Sequence, residues 1–341
     1  MDGELPQITR LAGRTAGPTL ALLGGVHGDE TEGVLAARTV ADRLADRQFR
    51  GTLVWAAPAH PAAWAADSRI GPADGANLAR VFPGRADGSP TEQVAAHLTA
   101  GLIAGADLLI DLHSAGRGFD MPLLAGYHSA GPLCGRAEAA ARAFAAPLLW
   151  QHPGGSSGRS LSAASAMGIP SLYVEGRGGG RVRQRDLDCY VNGVLRVLVH
   201  LGMLDPDQVD LPAPDPVTVV AGDGNTDEGI TAPAAGFFVT ATEAGAAIGA
   251  GATIGTVVDV DGRALARITA PVDGVVMLLR RSARVQQGDT LAIVGEIAAH
   301  PAGSGTGPGA VGSGTELGVV GSGAGPGAAD GAAGRDAAGV R

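Results

Sequence analysis

The chain has 341 residues, enough for one large domain or two ordinary ones, and 45% of them are hydrophobic, so a substantial core can be buried. All 25 basic residues are arginine, which excludes chemistry that needs a lysine nucleophile, a Schiff base or a lysine-linked prosthetic group. A net charge of −9 argues against a general nucleic-acid binder, and no apolar run approaches the length of a membrane span.

The opening MDGELPQITR has neither the basic nor the apolar region of a signal peptide. Cys134 and Cys189 are too few for a disulfide framework and read as free thiols. A soluble cytoplasmic protein with no nucleic-acid or membrane partner is expected. A homo-oligomer is left open.

With aromatics at 4%, the core must be built from Val, Leu, Ile and Ala. After an N-terminal segment (1–18), the apolar runs TLALLGG (19–25), TLVWAAP (52–58), ADLLIDLH (106–113), PLLAGYH (122–128) and IPSLYVE (169–175) read as buried strands. Ala-rich stretches at 32–45, 91–101, 134–145, 158–167 and 187–201 read as the intervening helices. Strands separated by helices predict an α/β domain over 19–204, its sheet covered on both faces and its chemistry at the carboxyl ends of the strands.

Residues 205–217 are rich in Pro and acidic side chains and read as a linker. From 218 to 298 the pattern changes to short β-runs with an internal repeat. Ile230-Thr-Ala-Pro233-x-x-Gly236 recurs as Ile268-Thr-Ala-Pro271-x-x-Gly274, with a hairpin expected at Asp261-Gly262. Two similar β-halves suggest a small all-β barrel-sandwich module. It resembles lipoyl and biotinyl domains, but Asp-Gly stands where those carry a modified Lys, which points to a structural or gating role. The Gly/Ala/Ser-rich tail (299–341) cannot bury a core and is expected to be disordered.

The sharpest chemical signal is Gly24-Gly25-Val-His27-Gly28-Asp29-Glu30 after the first strong strand. On the first turn of a helix, His27 and Glu30 would project to one side and reach one cation. A catalytic zinc site wants three protein ligands, and Asp111-Leu-His113-Ser114, after another strand, supplies the third in His113. Asp111 or Asp29 is expected to orient a ligand imidazole.

A hydrolytic site also needs a proton acceptor, and Glu175, ending IPSLYVE before the loop Gly176-Arg-Gly-Gly-Gly180, is the best placed. Substrate contacts are expected from Arg80 and Asn77 in DGANLARVFPG (74–84) and from Arg69 upstream. Arg159 is a weaker candidate. His60, His97, His128, His152 and His200 lack partners at ligand spacing and read as structural or surface residues, with His128 and His152 the nearest to lining a cleft.

Together these motifs resemble the succinylglutamate desuccinylase/aspartoacylase family, a branch of the zinc carboxypeptidase-like fold, over about residues 19–297. The resemblance implies a mixed, mostly parallel sheet covered by helices, His27, Glu30 and His113 as ligands of one Zn²⁺ per subunit, and Glu175 as general base and acid. It implies hydrolysis of the amide of a small N-acetyl or N-succinyl amino acid or amine. Relatives of this two-part form include deacetylases of acetylated diaminobutyrate. Two departures stand out: Ala79 replaces the Asn that commonly precedes the Arg of DGxNLNRxFPG, and Arg177 interrupts the Gly-rich segment after the glutamate. The alternatives are a zinc carboxypeptidase acting on a peptide C-terminus and a catalytically silent binding protein.

Overall fold

The computed structural model describes residues 4–298, apart from 155, 224, 226 and 227. The tail at 299–341 lies outside the described residues. All five apolar runs form strands and all five Ala-rich stretches contain helices. In chain order the first part comprises β1 (Thr9–Ala12), β2 (Thr15–Gly24), α1 (Thr31–Ala45), β3 (Arg50–Ala56), α2 (Pro61–Ala65), α3 (Pro90–Leu98) and β4 (Leu108–Leu112). It continues through β5 (Phe119–Asp120), β6 (Leu124–His128), α4 (Cys134–Phe144), β7 (Leu148–His152), α5 (Ser160–Ala166), β8 (Ser171–Glu175) and α6 (Gln184–His200). Strand β7 escapes the sequence pattern because Leu148-Leu-Trp-Gln-His152 has no β-branched residue and no clean alternation. Among the described residues no helix is long and apolar enough to cross a membrane.

The central sheet runs β1-β3-β2-β4-β8-β6-β7. Strands β3, β2, β4 and β8 are parallel, whereas β6 is antiparallel to β8, so the sheet is mixed. Helices α1, α4 and α6 cover one face through Val34, Val40, Leu44, Phe144, Val191 and Val194. The other face packs on α3 and α5 through Val94, Leu98, Ala163 and Ala164.

The register determines what happens at the carboxyl edge. Gly24 of β2 lies opposite Leu112 of β4, and Leu112 lies opposite Val174 of β8. His27, Glu30 and His113 lie just beyond the ends of β2 and β4, and Glu175 is the last residue of β8. Helix α1 sits close against this edge because Gly33 lies on the Leu112 carbonyl, where a Cβ would overlap it. Gly33→Ala is therefore expected to destabilise the fold by roughly 1–3 kcal/mol, outweighing the better helix propensity of Ala. The urea midpoint would check this.

Beyond residue 217 come β9 (Thr218–Ala221), β10 (Ile230–Thr231), β11 (Gly236–Thr240), β12 (Ala247–Ile248), β13 (Thr253–Val258), β14 (Ala264–Thr269), β15 (Gly274–Arg280), β16 (Arg284–Val285) and β17 (Thr290–Ile297). The internal repeat becomes a pairing exchange: β10 with β17 mirrors β14 with β13, and β12 with β15 mirrors β16 with β11. The turn between β13 and β14 is the expected hairpin, with Gly262 at φ +78°. Strands β14-β13-β11-β16 form a separate antiparallel sheet. Strand β9, however, pairs parallel with β7 and antiparallel with β17, so the central sheet continues into the β-rich part. Trp150, Val220, Met277 and Ile293 share one core across that junction.

Candidate active site

The site begins where β2 ends. Gly25 turns the chain with φ +75°, and His27 lies in the turn that follows. Glu30 is the N-cap of α1, with extended backbone and no side-chain capping bond. The His27–Glu30 pair thus lies in the turn before the helix, not on its first turn as the spacing predicted. The extended backbone at the cap swings the Glu30 carboxylate back over the turn. Its Oε1 is 2.7 Å from His27 Nδ1 and its Oε2 is 2.9 Å from His113 Nδ1. One ligand atom from each of His27, Glu30 and His113 lies within 4.8 Å of the others, and all three residues are buried.

The outer nitrogens of both imidazoles are held. His27 Nε2 is 3.0 Å from Asn77 Oδ1, and His113 Nε2 is 3.1 Å from Asp111 Oδ2, itself bound by the Ser160 hydroxyl. With a cation among the three side chains, an acceptor at each Nε2 would keep the proton there and leave each Nδ1 lone pair to the ion. Asp111 is therefore the carboxylate that orients a triad imidazole, while Asp29 accepts from the Arg117 amide. Asn77, expected to touch substrate, instead supports His27 and caps the turn Leu78–Arg80 by accepting from the Ala79 amide at 2.9 Å. The Ser114 amide donates to Glu30 Oε2, and the Tyr190 hydroxyl donates to the His113 carbonyl.

Burial alone would raise the Glu30 pKa, but His27 and His113 outweigh it and hold the carboxyl well below its ordinary range. Burial would likewise lower His113, yet Asp111 and Glu30 raise it well above the usual imidazole value. For His27 burial prevails over Glu30 and the pKa falls. Two Nδ1 atoms facing one ionised carboxylate in a buried box form a donor set that suits a divalent cation.

Glu175 stands at the end of β8 on the wall of a cavity of about 70 Å³, room for a few waters. Its Oε2 is buried with no hydrogen-bond partner among the described residues. Burial, then the charge of Glu30, push its pKa up to about 8, against the opposing effects of His113 and Arg69. Such a carboxyl is poised to exchange a proton near neutrality.

Arg69 reaches the triad, its Nη1 2.8 Å from Glu30 Oε1. Arg80 and Ala79 line the cavity, and so does Arg159, the candidate the sequence ranked lower; its Nη2 donates to Asn225 Oδ1 at 3.1 Å. Arg177 is exposed. His128 and His152 also line the cavity, their ring centroids 5.1 Å apart. His60 accepts from the Ala63 amide and His97 lies 3.1 Å from the Pro6 carbonyl, both contacts that support structure. Sequence reasoning missed Tyr173, Ser160 and Leu161 on the cavity wall. Tyr173 was within reach, since strand periodicity places it on the same face as Glu175 two residues on.

Residues 16–201 match the model of the succinylglutamate desuccinylase/aspartoacylase catalytic domain. The chain is 31% identical over 289 residues to the N-alpha-acetyl-L-2,4-diaminobutyric acid deacetylase of Halomonas elongata, covering 83% of this chain and 84% of that one. Among solved structures it resembles a succinylglutamate desuccinylase from Silicibacter sp., at 29% identity with a TM-score of 0.78, covering 86% and 89% of the two chains. It also resembles the product-bound ectoine utilization protein EutE (DoeB) from Ruegeria pomeroyi, at 28% identity with a TM-score of 0.77, covering 86% and 93%. With the family's catalytic domain matched over more than half its length, the chain belongs to the succinylglutamate desuccinylase/aspartoacylase family of amide hydrolases.

Proposed function

We propose that this protein removes a small acyl group, acetyl or succinyl, from the nitrogen of an N-acylated amino acid, using one zinc ion per subunit. The observation that carries the reading is the buried His27–Glu30–His113 triad with Glu175 beside it on one cavity. The residues fit the metal: two Nδ1 atoms and a carboxylate converge, and Asn77 and Asp111 hold the outer imidazole nitrogens. Zinc in such a site supplies a Lewis acid for the amide carbonyl and acidity for a water molecule.

The chain's own residues do the rest. Glu175 takes a proton from the attacking water and returns it to the amide nitrogen, which leaves as an amine. Arg69 lies beside the triad, where its guanidinium stabilises charge developing on the carbonyl oxygen. Arg80 and Arg159, on the cavity wall, hold a carboxylate of the substrate. Ala79 contributes no polar group to that wall, so carboxylate recognition falls to the two guanidinium groups. The diaminobutyrate deacetylase of Halomonas elongata makes an N-acetylated diamino acid the first substrate to test.

The test is a panel of N-acetyl, N-succinyl and N-formyl amino acids and diamines, each with and without a free α-carboxylate, scored for released amine with zinc supplied. Turnover confined to the carboxylated members is expected. Zinc-loaded protein that turns over none of them would overturn the reading. Arg159→Ala is expected to raise KM for carboxylated substrates about tenfold or more, the usual loss for a charge-assisted bond, with little change in kcat.

A further inference from the structure

Glu175 Oε2 has no hydrogen-bond partner among the described residues, so its position depends largely on the backbone that carries it. Strand β8 holds one side. The other side is the loop 176–180, where Gly178, Gly179 and Gly180 all have positive φ and bring no side chains with which to anchor themselves.

This loop is anchored mainly by residues 115–120, which in turn rest on the C-terminal part of the chain, with a further bond from Arg183 Nη1 to the Gly178 carbonyl. Asp120 forms an antiparallel bridge with Gly178, and the Gly179 amide donates to the Gly116 carbonyl at 2.6 Å. The Ala115 amide donates to the Gly176 carbonyl at 3.2 Å, two residues after His113. Of these residues Asp120 belongs to the short strand β5, which is laid on β15 of the C-terminal part, with Asp120 opposite Leu279 and Phe119 opposite Arg280. At this junction the Arg281 amide donates to the Gly118 carbonyl, and Arg281 Nη1 donates to Asp120 Oδ1 at 2.9 Å. The same guanidinium lies so close over Gly179 that a Cβ there would have to displace it.

We propose that Arg281, contributed by the C-terminal β part, is a positioning residue for Glu175: through Asp120 and Gly179 it clamps the loop that sets the carboxylate over the His27–Glu30–His113 triad. The C-terminal part thereby has a catalytic consequence without supplying a side chain to the reacting atoms. The inference rests on the reading of Glu175 as the proton acceptor. An ion pair as exposed as Arg281–Asp120 contributes little to stability, so its effect is on placement. Misplacing a reacting group by about an ångström costs on the order of a hundredfold in rate.

The experiment uses the full-length zinc-loaded protein and whichever panel substrate is turned over best. Arg281→Ala is expected to lower kcat about tenfold to a hundredfold, with KM within about twofold, zinc content unchanged and the unfolding midpoint close to wild type. The charge-reversed pair Asp120→Arg with Arg281→Asp is expected to recover most of the loss. In a Glu175→Gln background, Arg281→Ala should have no further effect on kcat, because the group it places is gone. Wild-type kcat in Arg281→Ala, or an equal loss in both backgrounds, would overturn the positioning role. Full activity in Glu175→Gln alone would instead overturn the reading on which it rests, so the two failures are distinguishable.

Discussion

Glu175→Gln is expected to retain its zinc and lose about 10²- to 10⁴-fold in kcat/KM, the usual worth of a positioned general acid–base. The amide is nearly isosteric and leaves the triad untouched, so metal content and substrate affinity should hold while turnover collapses. The pH dependence has a definite sign. The acceptor must be ionised, so kcat/KM rises as pH rises through its titration. The carboxyl titrates at about 8 in the metal-free site, and a nearby dication lowers that value, placing the acid limb of the zinc enzyme below pH 8. In Glu175→Gln that limb should vanish from whatever activity remains.

The same substitution should have the opposite effect on stability once metal is removed. Because the folded-state pKa of Glu175 is raised above the ordinary 4.5, folding is penalised as pH climbs from 4.5 toward 8. Each pH unit in that window costs about 1.4 kcal/mol, and the penalty is constant above it. Metal-free Glu175→Gln is thus expected to unfold at higher urea than metal-free wild type at pH 8 and above. The difference should disappear near pH 4, where both side chains are uncharged. A wild-type curve that does not weaken over this window would show that the carboxyl is better solvated than its surroundings imply.

Removal of the metal is expected to have the largest effect of all. Dialysis against a chelator should reduce amide hydrolysis to background, and one equivalent of zinc per subunit should restore it. His113→Ala should abolish restoration, because His27 and Glu30 alone leave the ion with too few ligands. It also removes the imidazole that faces both Glu30 and Asp111. Loss of a partner from such a buried group is costly, and a fall in stability of about 3 kcal/mol or more is expected. In the wild type, zinc at a hundredfold excess over its Kd should add about 2.7 kcal/mol, visible as a raised thermal midpoint. Atomic emission on purified protein and a thermal scan with and without zinc read both outcomes.

Much of this was legible along the chain. His27, Glu30 and His113 each follow an apolar strand and Glu175 ends one, and a polar group in that setting needs a task. The helical geometry assigned to His27 and Glu30 was not legible correctly, because three-residue spacing is shared by a helix turn and by the turn before one. The role of Asn77 was hidden for another reason: it lies 50 residues from His27 in sequence, and the 3.0 Å contact exists only after α2 and the turn Leu78–Arg80 fold back over the site. Strand β7 lacked the alternation and branched residues that mark a strand, so the element that brings His152 to the cavity was not legible, although His128 and His152 were expected nearest to a cleft.

The sequence alone determined which residue types are available at strand ends, and with them the metal-ligating and proton-accepting chemistry, since donor atoms and strand patterns are local properties. The tertiary structure decided which strand ends are neighbours. Parallel registration of β2, β4 and β8, with Gly33 letting α1 settle on Leu112, brings three segments separated by some 150 residues of sequence onto one cavity. It also decided that β5 lies on β15, tying the C-terminal part to the loop beyond Glu175. Strand pairing of this kind depends on backbone hydrogen bonds and long-range packing, which leave little trace in the residues that make them.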